Sequence, residues 1–255
     1  MTREQKNIGQ RKRYIALAII LAVILLFIIG FAVYVSDYYH ANEYAVQAMA
    51  SDDHVTVSTA EDGTILFIPD TSQAGMIFYP GGKVEYTAYV PLMRACARRG
   101  ILCVLLKMPC NLAVLDVNAA DGIAEQYPDI ESWYIGGHSL GGAMAAIYAA
   151  GHSNELDGLI LLAAYSSKDL SSSDLAVLSV YGSEDQVLNA DKYEASKANL
   201  PADMIEVIIK GGCHAGFGAY GPQSGDGTPS ITSEEQINKT AGEVRATISN
   251  QSPRP

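Results

Sequence analysis

The chain is poor in the residues that build disulfide scaffolds and metal centres. Its 255 residues include four cysteines, Cys96, Cys103, Cys110 and Cys213, too few and too scattered for a disulfide framework. Cys96 and Cys103 fall on an expected helix and strand and read as packed thiols, whereas Cys110 and Cys213 fall in loops. The five histidines, His40, His54, His138, His152 and His214, form no cluster with metal-ligand spacing, so neither a metal nor another cofactor is expected. Positive charge is also scarce, with 17 Lys and Arg against 28 Asp and Glu and a net charge of −11. Residues 1–13 hold five cations and one anion, which leaves −15 for the remainder. Such a charge keeps a domain soluble and argues against nucleic acid as a partner.

Charge is absent altogether from residues 14–35, a run of 22. As a helix it spans about 33 Å, enough to cross a bilayer core. It is too long for the apolar region of a cleaved signal peptide, and the one tidy small-x-small sequence, Ala48-Met49-Ala50, lies well beyond it. The expected organisation is therefore a basic cytoplasmic tail (1–13), a transmembrane signal anchor (14–35), a polar linker (36–53) and one compact domain (54–249). Basic residues before the span and acidic ones after it orient the N-terminus toward the cytoplasm. A single-pass protein of the cell membrane with an extracytoplasmic domain is expected.

Chemistry enters at Gly136-Gly137-His138-Ser139-Leu140-Gly141-Gly142, preceded by the apolar Trp133-Tyr134-Ile135 and followed by the Ala-rich segment 143–150. This reads as a strand, a sharp turn and a helix. A serine at the tip of that turn is held in a strained conformation, with small flanking residues letting strand and helix approach. Its Oγ stands above a helix N-terminus, where free amides and the helix dipole favour developing negative charge. Ser139 is the expected nucleophile, and the segment resembles the nucleophile elbow of the α/β-hydrolase family.

In that fold the partners follow the nucleophile in the order serine, acid, histidine. Only His152 and His214 lie after Ser139. His152 is about 20 Å along the helix that Ser139 starts and cannot reach back. His214 sits in the loop Gly211-Gly212-Cys213-His214 after the β-branched run 205–209 and is the expected base. Between them Asp185 is the best-placed acid, in the turn Gly182-Ser183-Glu184-Asp185 after the strand-like run 175–181. Glu184 is its rival, and Asp169 and Asp174 are weaker candidates in a Ser-rich loop. The resemblance favours Asp185, because the strand followed by G-S-x-D looks like the family's acid turn.

An oxyanion hole needs two backbone N–H groups aimed at one oxygen. Leu140, after the nucleophile, supplies the first, and Gly82 or Lys83 in the loop Pro80-Gly81-Gly82-Lys83 supplies the second. The loop resembles the HGG-type loop of esterases, with Pro80 where histidine is common.

Strand-like runs at 64–68, 75–79, 101–107, 133–136, 159–163, 175–181 and 205–209 alternate with helical patterns at 85–99, 112–126, 190–199 and 233–249. With an antiparallel first strand at 54–58 they predict a doubly wound, mostly parallel α/β-hydrolase sheet. Only about a dozen residues separate 163 from 175, which leaves no room for a cap domain and favours small or short-acyl substrates. Tyr79–Glu85, Lys107-Met108-Pro109 and the loop 211–218 together resemble a compact bacterial group related to dienelactone-hydrolase-like proteins; in dienelactone hydrolases themselves the nucleophile is cysteine, where this chain has Ser139. The resemblance implies a carboxylesterase-like serine hydrolase acting on a small-molecule acyl substrate through an acyl-enzyme. The alternatives are an amidase, peptidase or acyltransferase on the same triad, or a non-catalytic surface module.

Overall fold

The computed structural model describes residues 3–72 and 74–251, without the side chains of residues 3–10 and 12. The chain divides into two compact units between Tyr38 and Tyr39. The first is one helix, α1 (Arg3–Ser36). Its segment Arg13–Ser36 has a mean hydropathy of 3.3 with no part of its apolar window buried, long and apolar enough to cross a membrane.

The second unit is built on an eight-stranded sheet: β1 (Val55–Thr59), β2 (Ile65–Pro69), β3 (Ala74–Tyr79), β4 (Ile101–Leu105), β5 (Ser132–His138), β6 (Gly158–Leu162), β7 (Ala176–Gly182) and β8 (Ile205–Ile209). Its spatial order is β1-β2-β4-β3-β5-β6-β7-β8. β2 runs antiparallel to both neighbours and the remaining pairs are parallel. The central strands are apolar without alternation because both faces are covered. Along β3, Met76 and Phe78 point into one core with Tyr89, Met93 and Ile237, while Ile77 and Tyr79 point into the other with Ile135, Ala145 and Leu161. Helices α3 (Val90–Ala97) and α6 (Ser233–Ser249) cover the first face. Helix α4 (Leu140–Gly151) covers the second, and α5 (Ala190–Ser196) follows β7.

Three local expectations are corrected. Residues 112–126 do not form a helix; they make short 3₁₀ turns at Ala113–Leu115 and Ala124–Gln126. Asp116, Asn118, Asp121 and Gly122 favour turns over a helix interior. Tertiary bonding pins the result, since the buried Tyr79 hydroxyl donates to the Val117 carbonyl at 2.6 Å and accepts from the Ala120 amide at 3.2 Å. The helix expected at 85–99 opens with a 3₁₀ turn, Tyr86–Tyr89, and becomes α-helical only at Val90, with Pro91 in its first turn. The segment read as a linker, 36–53, is folded into the second unit from Tyr39 on. Tyr39 bridges to Val84, the Asn42 amide donates to the Ala219 carbonyl, and Asn42 caps α2 (Glu43–Gln47), whose Ala45 is fully buried.

Candidate active site

β5 ends at His138 and α4 begins at Leu140, so Ser139 alone makes the turn. Its backbone has φ 52° and ψ −121°, a strained conformation that a non-glycine residue keeps only when its surroundings impose it. The surroundings are two close approaches. A Cβ on Gly137 would lie 2.6 Å from the Gly142 nitrogen. One on Gly141 would overlap the backbone of Tyr79 and Pro80. The strand end, the elbow and the loop after β3 are thus meshed through bare backbone. The Leu140 amide, at the first position of α4, has no acceptor within the helix.

His214 and Asp185 come together from the far side of the sheet. His214 Nδ1 donates to Asp185 Oδ2 at 2.9 Å, and the two side chains are 2% and 1% exposed. Asp185 Oδ1 accepts from the amides of Val187 and Leu188 at 2.9 and 2.8 Å, which fixes the carboxylate. With Nδ1 carrying the proton, the lone pair of His214 is on Nε2, which is buried without a hydrogen-bond partner among the described residues. Ser139, Leu140 and His214 line one cavity of about 300 Å³, with Ala143, Ala163, Ala164, Tyr165, Val187, Leu188 and Asn189 around it.

The rival acids lie elsewhere. Glu184 is exposed and accepts from the Ser183 hydroxyl, Asp169 is exposed in a turn with Ser171, and Asp174 is exposed. His152 stays at the far end of α4, stacked on Tyr148 at 4.0 Å. Cys213, beside His214, is buried, and burial together with the neighbouring Asp226 pushes its thiol up to about 11, so it stays protonated and unreactive at neutral pH.

For the oxyanion hole the structure separates the two loop residues. Lys83, at φ 57°, already donates its amide to the Asn111 carbonyl at 2.9 Å, which corrects its reading as a donor. Gly82 instead packs directly on Leu140, where a Cβ would come within 2.7 Å of Leu140 Cδ2. Gly82 and Leu140 are the adjacent pair.

Four further residues support the site and escaped the sequence reading. Asp226 accepts from the amides of His214, Ala215 and Gly227 at 3.2, 2.8 and 2.8 Å. Its partial burial acts to raise its pKa, and these hydrogen bonds outweigh that and hold it below the ordinary value. Gln236, on α6, brackets Cys213 by accepting from its amide at 3.0 Å and donating to its carbonyl at 2.8 Å. Tyr89 and His138 lie buried behind the loop at 80–83. A lone Asp-Gly in a loop and a Gln in a helix carry no local signal of such roles.

Comparison with known proteins agrees with the fold. Residues 75–238 match the Alpha/beta hydrolase family. The chain belongs to that family. Solved structures similar to this hydrolase include Est1E from Butyrivibrio proteoclasticus, 14% identical, with a TM-score of 0.53 over 78% of this chain and 100% of the other. An esterase from Pyrobaculum calidifontis is 14% identical, with a TM-score of 0.56 over 80% and 89% of the two chains. A serine hydrolase without a lid from Xanthomonas campestris is also 14% identical, with a TM-score of 0.51 over 80% and 98%. At these identities the likeness is one of fold, and the hydrolase shares its compact form without a cap. No curated protein matches the chain.

Proposed function

We propose that this hydrolase is a membrane-anchored serine esterase for small acyl esters, with Ser139 as nucleophile, His214 as base, Asp185 as orienting acid, and the amides of Gly82 and Leu140 as the oxyanion hole. The observation that carries it is His214: one ring nitrogen held by a buried carboxylate, the other free and sharing a cavity with a strained serine. In the first half-reaction His214 Nε2 takes the Ser139 proton as Oγ attacks the acyl carbon, and the two amides receive the oxyanion. The imidazolium then protonates the leaving alkoxide, and water repeats the cycle on the acyl-enzyme. Asp185 keeps the ring in the required tautomer and stabilises its cation without taking the proton. The alanines Ala143, Ala163 and Ala164 and the aliphatic Val187 and Leu188 suit a short acyl chain.

The test uses the full-length chain in detergent with a chain-length series of p-nitrophenyl esters. Ser139→Ala should lose at least about 10³-fold in kcat, and short acyl chains should be preferred. Equal activity in the variant would reject Ser139, and long-chain preference would reject the size of the pocket. For the anchor, Arg13–Ser36 crosses the membrane and the basic N-terminus stays in the cytoplasm. Cys110 is the one exposed cysteine among the four. A membrane-impermeant maleimide should therefore label Cys110 in intact cells, and labelling only after lysis would reverse the topology.

A further inference from the structure

The triad leaves two buried polar residues unused, and they touch both halves of the site. The Gly81 amide donates to the Tyr89 hydroxyl oxygen at 3.1 Å, and Tyr89 Oη lies 2.8 Å from His138 Nδ1. Among the described residues Nδ1 is the one acceptor in hydrogen-bond reach of the Tyr89 hydroxyl, so that proton goes to Nδ1 and the neutral His138 ring carries its own on Nε2. The loop is pressed onto this chain, since a Cβ at Gly81 would lie 2.5 Å from Tyr89 Oη and 2.8 Å from His138 Nδ1. The next residue is Gly82, which packs on Leu140. The His138 ring meanwhile packs against His214 at a centroid distance of 4.6 Å and against Phe217 at 5.6 Å.

We propose that Tyr89 and His138 are positioning residues for the oxyanion hole, holding the Gly81 amide so that the Gly82 amide is presented to the reacting carbonyl. This inference rests on the serine-esterase reading of the same site. Burying an imidazole at 138 carries a desolvation cost that leucine or phenylalanine would avoid. What the imidazole adds over them is the acceptor at Nδ1. That acceptor exists only while the ring is neutral, and burial, reinforced by the neighbouring His214, holds the His138 pKa well below its ordinary value. The arrangement fixes a loop amide by a fully desolvated side-chain chain rather than by water, as a preorganised hole requires.

The experiment measures the rate at which an alkyl fluorophosphonate modifies Ser139, with kcat and KM for p-nitrophenyl acetate, on the full-length chain in detergent. Tyr89→Phe and His138→Leu should each slow modification and lower kcat about 10–100-fold, less than outright removal of an oxyanion donor, with KM within about twofold. The double variant should be no slower than the slower single one, because both break one chain. His138→Asn, whose Oδ1 can accept in place of Nδ1, should recover most of the rate. Parent-like rates in Tyr89→Phe, multiplicative losses in the double variant, or a lowered melting temperature with an unchanged modification rate would each overturn the proposal. If Tyr89→Phe fails to fold, the contrast between His138→Asn and His138→Leu decides in its place. Absence of modification at Ser139 in the parent protein would instead overturn the esterase reading and this inference with it. Modification that the variants leave unchanged overturns the inference alone.

Discussion

The two halves of the site are assembled by different means. Over β3 and β5 the elbow and the loop at 80–83 are pressed together through glycines, so backbone meets backbone at Gly137, Gly141 and Gly142. Over β7 and β8 the acid turn and the His214 loop are held by side chains from a distance. Asp226 reaches back across 12 residues to the His214 amide, and Gln236 reaches across 23 to Cys213. Steric meshing is unforgiving and local, whereas hydrogen-bonded bracing is graded and long-range.

Breaking the meshed half should have the largest effect. Gly141→Ala sets a methyl group against the Tyr79 and Pro80 backbone, which has no flexible end to yield. We expect a loss of about 3 kcal/mol or more in unfolding free energy, read by denaturant melts, with esterase activity abolished. A soluble, active Gly141→Ala would refute the meshing. In the braced half, Asp226→Ala removes the acceptor of four amides, that of Gln186 in the acid turn, those of His214 and Ala215 in the next loop, and that of Gly227. It should lower stability by about 2–3 kcal/mol and kcat about tenfold as His214 loses its fixed position. An unchanged kcat would make Asp226 a stability residue only.

Gln236→Leu should be milder, about 2 kcal/mol for stranding the Cys213 amide and carbonyl, again read by melts. Gly212 explains its precision, because a Cβ there would come within 2.6 Å of Gln236 Oε1. The smallest effect is a pH dependence on the boundary between the halves. His138 is held neutral when folded, chiefly by burial and also by His214, so its folded pKa lies well below its unfolded value of about 6.5. Below about pH 6.5 the unfolded chain binds a proton there and the folded one does not. Stability should therefore fall with decreasing pH by up to about 1.4 kcal/mol per unit. His138→Asn should flatten that slope between about pH 5 and 6.5, while carboxylates such as Asp226, held below their ordinary value, lose their stabilisation only at lower pH. An identical slope in the variant would assign it to another group.

This division also explains what was legible in the chain. The sheet, its order of apolar runs and the elbow could be read because burial on both faces and glycine crowding write themselves into adjacent residues, as in Gly136–Gly142. Asp185 and His214, which the fold joins by a hydrogen bond, could be singled out because each stands in a turn after an apolar strand. The turns at 112–126 could not, because their deciding contact is the hydroxyl of Tyr79, more than thirty residues away in sequence. The choice between Gly82 and Lys83 was equally hidden, since it depends on the Asn111 carbonyl taking the Lys83 amide.

Asp185 fixes its turn through the main chain of Val187 and Leu188 and makes no demand on their side chains. Those same side chains form part of the wall of the cavity that Ser139 and His214 share. On the proposed reading, substrate preference can therefore drift at 187 and 188 while the Asp185 carboxylate stays in place. A lineage or an engineer searching for new acyl specificity has two positions at which change is nearly uncoupled from the chemistry.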